Sequence, residues 1–505
     1  MMNQFQFIED PGLLAPLIIS GLAALLILLF RGKPNLREGV SVVAATATFI
    51  TLLLLSSGVS QGTGRIFEII TIVPGLSFKL ALDGPGCILG LVSSLLWIGV
   101  TAYNIGYMRS LNERNQTRYY FCFTTAMFGA VGVALSANIL TLFFFYEIIS
   151  LFTYPLVAHH MNQEARQAGL KYLVYLIGAS KLFFLSAMAL TYAYAGSLDF
   201  RLSEFSGGIF PPETPTAAIM AIYALFLAGF AKAAIIPLHN WLPSAMVAPT
   251  PVSALLHAVA VVKVGVFCIC RTILNIVGLE NMDALHLSAP TAWAAIFTII
   301  AASLIALTKD DLKARLAYST ISQLSYIVLG VALLAPLSVQ GGLLHIAAHA
   351  FGKITLFMAA GAILVVTGTK SIRLMSGLGR QMPWTFGAFG LACLTMIGVP
   401  PAIGFASKWN IALGAAELHQ TAIIIALMLS ALLNAAYFAP IFFQAFFGQP
   451  KETEANHNGK NTAIPGRREA PLSMLLPLCA TALISLLLGL YPEIILNFLD
   501  QSGWR

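Results

Sequence analysis

Nine ionisable side chains stand inside apolar runs of this 505-residue chain: Glu147, Lys181, Lys232, His257, Lys263, His345, His349, Lys353 and Lys408. An ionisable group near the centre of a bilayer costs at least about 3 kcal/mol, so nine of them call for a function. Burial disfavours an ammonium and a nearby carboxylate favours it. A lysine whose carboxylate partner can approach or withdraw therefore loads and releases a proton. Glu147 and Lys232 are the natural pair of this kind. Histidine titrates near pH ~6.5 and suits relay between such sites. The stretch HIAAHAFGK puts His345, His349 and Lys353 four residues apart. On a helix that spacing makes one line about 12 Å long, which reads as a proton wire directed toward Lys408. The sites expected to carry proton translocation are Glu147, Lys232, Lys263, His345, His349, Lys353 and Lys408, with Lys181 and His257 as secondary candidates.

The elements that must hold these groups are membrane helices. The chain is 58% hydrophobic and 10% charged, against about 25% charged in soluble globular proteins, and its mean hydropathy is strongly positive. Apolar runs of spanning length (about 20 residues) lie near 12–30, 39–58, 85–107, 119–136, 139–158, 172–194, 217–236, 251–270, 291–307, 318–335, 341–366, 385–413, 421–447 and 471–491. The expected fold is thus an all-α polytopic membrane protein of about fourteen helices. Alternate loops hold 18 and 5 of the Lys and Arg residues. Cytoplasmic loops carry the basic excess, so both termini are expected on the non-cytoplasmic side of a prokaryotic cytoplasmic membrane. The first ten residues lack the basic start of a secretory signal, so the first helix is read as a retained anchor. Alternation in RIFEIITI and LSFKLAL, within 63–81, suggests a small outer hairpin. Residues 451–469 read as a polar cytoplasmic loop.

Helices 4–8 and 9–13 form two five-helix blocks, and an odd number inverts the second in the membrane. Lys181 and Lys353 occupy the third helix of each block, and Lys232 and Lys408 the fourth. GFAK at 229–232 rhymes with GFASK at 404–408, and proline breaks both fourth helices, at Pro237 and at Pro400-Pro401. Interruption at matching positions points to an ion site. The expected units are 1–118 (helices 1–3 with the hairpin), 119–275 (first repeat), 288–447 (inverted repeat) and 448–505 (loop and helix 14). The six cysteines form no CxxC and read as core residues. No metal or cofactor is expected, and no nucleic-acid partner.

These motifs resemble a family. GFAKAAIIPLHNWLPSAMVAPTPVSALLHA (229–258) with VVKVGVF, KDDLKARLAYSTISQLSY (309–326), HIAAHAFGKITLF (345–357) and GVPPAIGFASKW (398–409) are similar to the antiporter-like subunits of respiratory complex I, membrane-bound hydrogenases and multisubunit Mrp cation/proton antiporters. The resemblance covers about 120–410. It implies fourteen helices with two inverted repeats and broken helices 7 and 12. It also implies roles: Glu147 as the fifth-helix partner of a lysine, Lys232 as the broken-helix lysine, Lys263 as the connecting lysine, and His345, His349 and Lys353 as the eleventh-helix relay. Lys408 matches the terminal residue near the outer exit. The short stretch after helix 14 leaves no room for the lateral helix of the largest members, so the chain looks most like a D-type member of an Mrp antiporter. It would work with other membrane subunits, the lipid bilayer and H⁺, exchanged for Na⁺ or K⁺. The alternatives are a proton-pumping subunit of a complex I-like oxidoreductase or a hydrogenase and, from another class, a stand-alone secondary transporter.

Overall fold

Lipid offers no partner for a free amide or carbonyl, so a chain of this composition closes its backbone hydrogen bonds within helices. The computed structural model of the chain describes residues 6–202, 207–449 and 468–500, and helix occupies each of the fourteen apolar runs. Ten helices among the described residues are long and apolar enough to cross a membrane by length and composition, with two shorter apolar ones, Thr216–Gly229 and Pro383–Ile397. Gln116–Ala134 and Leu312–Ala332 are long enough, but their tyrosines, serines and basic residues lower their apolarity.

In chain order the helices are α1 (Ala15–Leu29), α2 (Pro34–Ser56), α3 (Gly84–Ser110), α4 (Gln116–Ala134), α5 (Ile139–Val157), α6 (Gln163–Ala195), α7 (Thr216–Gly229), α8 (Val252–Val277), α9 (Ser288–Thr308), α10 (Leu312–Ala332), α11 (Pro336–Thr367), α12 (Pro383–Ile397), α13 (Ile403–Glu417), α14 (Thr421–Phe447), α15 (Leu472–Leu490) and α16 (Glu493–Asp500). Their starts are written locally. Asp83, Asn138, Asn162 and Asp311 each cap the helix that follows by accepting from a backbone N–H at 2.8–3.0 Å. The expected hairpin is present as β2 (Thr63–Val73) and β3 (Leu76–Leu82), and a short β1 (Gln6–Glu9) adds to it in parallel. The four residues QFIE are too few to show a strand by alternation. The polar segment 451–469 lies almost wholly outside the described residues.

The loops segregate to two ends. At the hairpin end Asp10 pairs with Arg65, Lys79 with Asp199 at 2.9 Å, and Asn275 donates to the Arg201 carbonyl at 2.7 Å. At the other end Arg37 donates to Gln116 at 2.8 Å, Arg109 pairs with Glu38, and Arg118 donates to the His159 carbonyl at 2.9 Å. There too Leu312 N–H donates to Lys370 O at 3.0 Å, and Gln444 donates to Arg373 O at 3.2 Å. These basic loops therefore share one end among the described residues.

Arg271 departs from its expected loop position. It is buried at the hairpin end of α8, where its Nη1 and Nη2 donate to Asp83 at 2.5 and 2.6 Å. This bidentate pair ties α8 to α3. Among the described spans α8 is the one wholly enclosed by protein, and it is the post around which the polar groups gather.

Candidate functional site: a buried polar axis

Both expected helix breaks exist. After α7 comes a single 3₁₀ turn, Ala231–Ala233, then Ala234 at φ 55°, a cis Ile236–Pro237 bond and a short helix, Trp241–Ser244. After α12 come Gly398 at φ 92° and a cis Pro400–Pro401 bond before α13. A break frees carbonyls that lipid cannot satisfy. Trp241 Nε1 donates to Ala231 O at 2.9 Å. Lys408 Nζ donates to Met396 O at 2.5 Å and Ile397 O at 3.2 Å, so its ammonium caps the carbonyl end of α12. The rhyming GFAK and GFASK are thus not equivalent in position. Lys232 lies within its break, in the 3₁₀ turn, whereas Lys408 lies on α13, after its break, and reaches back.

In the first half Glu147 does not pair with Lys232. Its Oε2 lies 3.2 Å from Lys181 Nζ, and its Oε1 is buried with no hydrogen-bond partner. Lys232, fully buried, donates instead to the backbone carbonyl of Tyr146 and sits 3.2 Å above that residue's ring centroid. The carboxylate thus pairs with Lys181 and acts on Lys232 only electrostatically. Lys181 lies in a π turn, Ser180–Phe184, with its side chain 50% exposed. His257 lies in a π stretch, Val252–Ala260, and is buried with neither ring nitrogen hydrogen-bonded. Such local widening of a helix is frequent where function re-aims a side chain.

α8 and α11 meet through their side chains. Lys263 Nζ contacts His349 Nδ1 and donates to Ala258 O at 2.9 Å. One turn away the His345 ring lies 6.2 Å from that of His349, nearly parallel at 18°. His345 Nδ1 contacts Ser407 Oγ at 2.8 Å, and Nε2 contacts Gln323 Oε1 at 3.0 Å. Ser407 adjoins Lys408. His345 thus reaches the residue next to Lys408 on α13. Lys353 is fully buried and donates to Leu316 O on α10 at 3.3 Å. The side-chain contact between α8 and α11 falls at His349.

The close fit at this junction makes one glycine critical. A Cβ on Gly265 would lie 2.2 Å from Ala233 N and 2.4 Å from Lys232 C. Gly265→Ala is expected to cost about 1–3 kcal/mol by overpacking and to displace Lys232. A lowered unfolding temperature together with lost ion transport checks this; an unchanged value of either contradicts the close approach.

The comparisons with known proteins decide the family. The family described as NADH:quinone oxidoreductase/Mrp antiporter, transmembrane, matches residues 136–434. The chain belongs to this family. It is 33% identical over 432 residues to the N-type subunit of the NADH-quinone oxidoreductase of Desulforudis audaxviator, covering 82% of this chain and 83% of that one. It is 28% identical over 485 residues to the D-type subunit of the Na⁺/H⁺ antiporter of Alkalihalophilus pseudofirmus, covering 96% and 94%. The fold is similar to a chain in the Mrp complex from Dietzia (TM-score 0.85, 21% identity, 98% and 97% covered). It is also similar to a chain of the membrane-bound sulfane sulfur reductase, an archaeal respiratory membrane complex (TM-score 0.84, 23% identity, 97% and 96% covered).

Three buried polar groups were not expected from the sequence. Asn434 accepts from Gln323 at 3.2 Å and also bonds Tyr437; a lone asparagine in LLNAAYF was the available signal. Ser407 was hidden inside GFASK. Lys313, assigned to a basic loop, is buried and donates to Ala248 O at 2.6 Å. It follows the helix cap Asp311 by two residues, which already set it inside α10.

Proposed function

We propose that the chain is a proton-translocating subunit of a multisubunit membrane complex, most similar in organisation to the D-type subunit of an Mrp antiporter. The observation that carries this reading is the Lys263–His349 contact. In this reading it joins a carboxylate–lysine array in one half to a histidine–lysine array in the other. In this reading Glu147 leaves Lys181 for Lys232 and so changes which ammonium is stabilised. A proton released toward Lys263 passes to His349, then to His345 and, through Ser407, to Lys408. His349 Nε2 is buried without a hydrogen-bond partner, and an internal water between the two imidazoles would satisfy it and carry the proton.

The fourteen helical runs are read here as fourteen spans with helices 4–8 and 9–13 as inverted repeats. The grouping of loops at two ends supports that count, and the basic end is taken as cytoplasmic. A complex is implied by Lys181, because a half-exposed ammonium midway along α6 is costly against lipid. A neighbouring subunit covers it in this reading. Near-complete coverage of both chains favours the D-type comparison. The higher identity to the N-type relative favours the second reading, the same proton path in a quinone-linked complex. Purification of the native complex separates them: flavin and iron–sulfur subunits indicate an oxidoreductase, and small membrane chains alone indicate an antiporter.

Sidedness has its own check. With Cys479→Ser as background, Arg114→Cys is expected to react with an impermeant maleimide only from the cytoplasmic side. Glu213→Cys should react only from the other. The reverse pattern, or one side for both, would contradict the orientation.

A further inference from the structure

Three titratable groups at the basic end lie outside the axis. Glu113 follows α3, and His159 and His160 follow α5. His159 Nε2 lies 3.6 Å and His160 Nδ1 3.7 Å from the same oxygen, Glu113 Oε2. His159 is buried and its Nδ1 has no hydrogen-bond partner, which a pure structural tie does not explain. Glu113 is 14% and His160 38% exposed by side chain, so the cluster runs from solvent into the protein. The surrounding elements supply positive charge. Arg118 of α4 holds the His159 carbonyl, and Lys313 of α10 and Lys370 of the loop after α11 act electrostatically on His160. Tyr107 of α3 lies within electrostatic range of Glu113, and the Tyr119 ring is 5.5 Å from that of His159. Lys313 leads inward, because its Nζ bonds Ala248 O at 2.6 Å and it acts electrostatically on buried His257.

We infer that Glu113, His159 and His160 form a proton-exchange site on the basic face, connected through Lys313 and His257 to the polar axis. This rests on the proton-translocation reading above. The imidazoles of His159 and His160 hold the Glu113 carboxyl below its usual range, and burial pulls His160 down. A site with a standing carboxylate and an easily discharged imidazole takes a proton from water and hands it to a neutral Lys313 amine, or runs in reverse. The proton is the only species transferred: an O–H bond of hydronium or a buffer acid breaks as the imidazole N–H forms, and that N–H breaks as one forms on Lys313.

The experiment uses the intact complex in liposomes, with proton translocation measured in weak and in imidazole-rich buffer on the basic side. Glu113→Gln and the double variant His159→Asn/His160→Asn are expected to lower the rate about tenfold in weak buffer, since focused charge raises arrival rates by about 10–10³. Imidazole should restore the rate to near that of the parent, because a mobile buffer replaces a fixed one. An undiminished rate in weak buffer, or a loss that imidazole does not restore in variants assembled at parental levels, would overturn the inference. His349→Ala is the control. If it abolishes transport while the cluster variants behave as the parent, only the exchange site fails; if it transports normally, the axis itself fails.

Discussion

Lys263→Met and His349→Ala are each expected to reduce proton translocation by about 100-fold or more, the scale on which a positioned acid–base group acts, while the protein still inserts and assembles. The two side chains touch each other and come from α8 and α11. Lys263 has one other bond, to the carbonyl of Ala258 in the π stretch before it. Removing either partner leaves the Glu147–Lys181–Lys232 array and the His345–Ser407–Lys408 array intact but separate. Lys263→Arg should not restore transport, because a guanidinium keeps its proton at every relevant pH. Proton uptake measured with an internal pH dye in liposomes, normalised to assembled protein, checks the pair. Near-normal uptake in either variant removes the junction from the path.

Glu147→Gln carries the second large effect, again a loss of about 100-fold. Its Oε2 holds Lys181 and its buried Oε1 is free. The neighbouring residue's carbonyl and ring hold Lys232. A glutamine keeps the size and loses the charge that can move between the two ammoniums. Lys181→Met should be milder, about tenfold, because it removes one of two positions for the charge. The double variant should fall no further than Glu147→Gln alone, as expected of groups acting as a unit. Independent losses that multiply in the double variant would show that Lys181 acts apart from Glu147. Full activity of Glu147→Gln would end its role.

Much of this arrangement was written in composition and spacing. The four-residue rhythm of His345, His349 and Lys353, the prolines after Lys232 and before Lys408, and the caps Asn138, Asn162 and Asp311 are local signals, and local signals predict local structure. What escaped was set by tertiary contact. Asp83 and Arg271 are 188 residues apart in sequence, and nothing near either one announces their pairing. Glu147 looked committed to Lys232 because both are charged and buried; the spacing could not show that the Tyr146 carbonyl would take that ammonium. Lys313 was read as a loop residue because Lys/Arg counting sees charge and not the direction of a side chain. The matching contexts of Lys232 and Lys408 hid a real difference, since one lies within its helix break and the other follows it.

The central claim is that the line across α8 and α11 works by titration rather than by packing. Proton translocation by His349→Gln, measured alongside its level of assembly, addresses it most directly. A glutamine fits the space and can still hydrogen-bond Lys263, but it cannot bind and release a proton in this range. The account predicts parental assembly with transport as low as in His349→Ala. Transport restored to the parental rate together with assembly would mean that the imidazole only braces the helices, and would contradict the account.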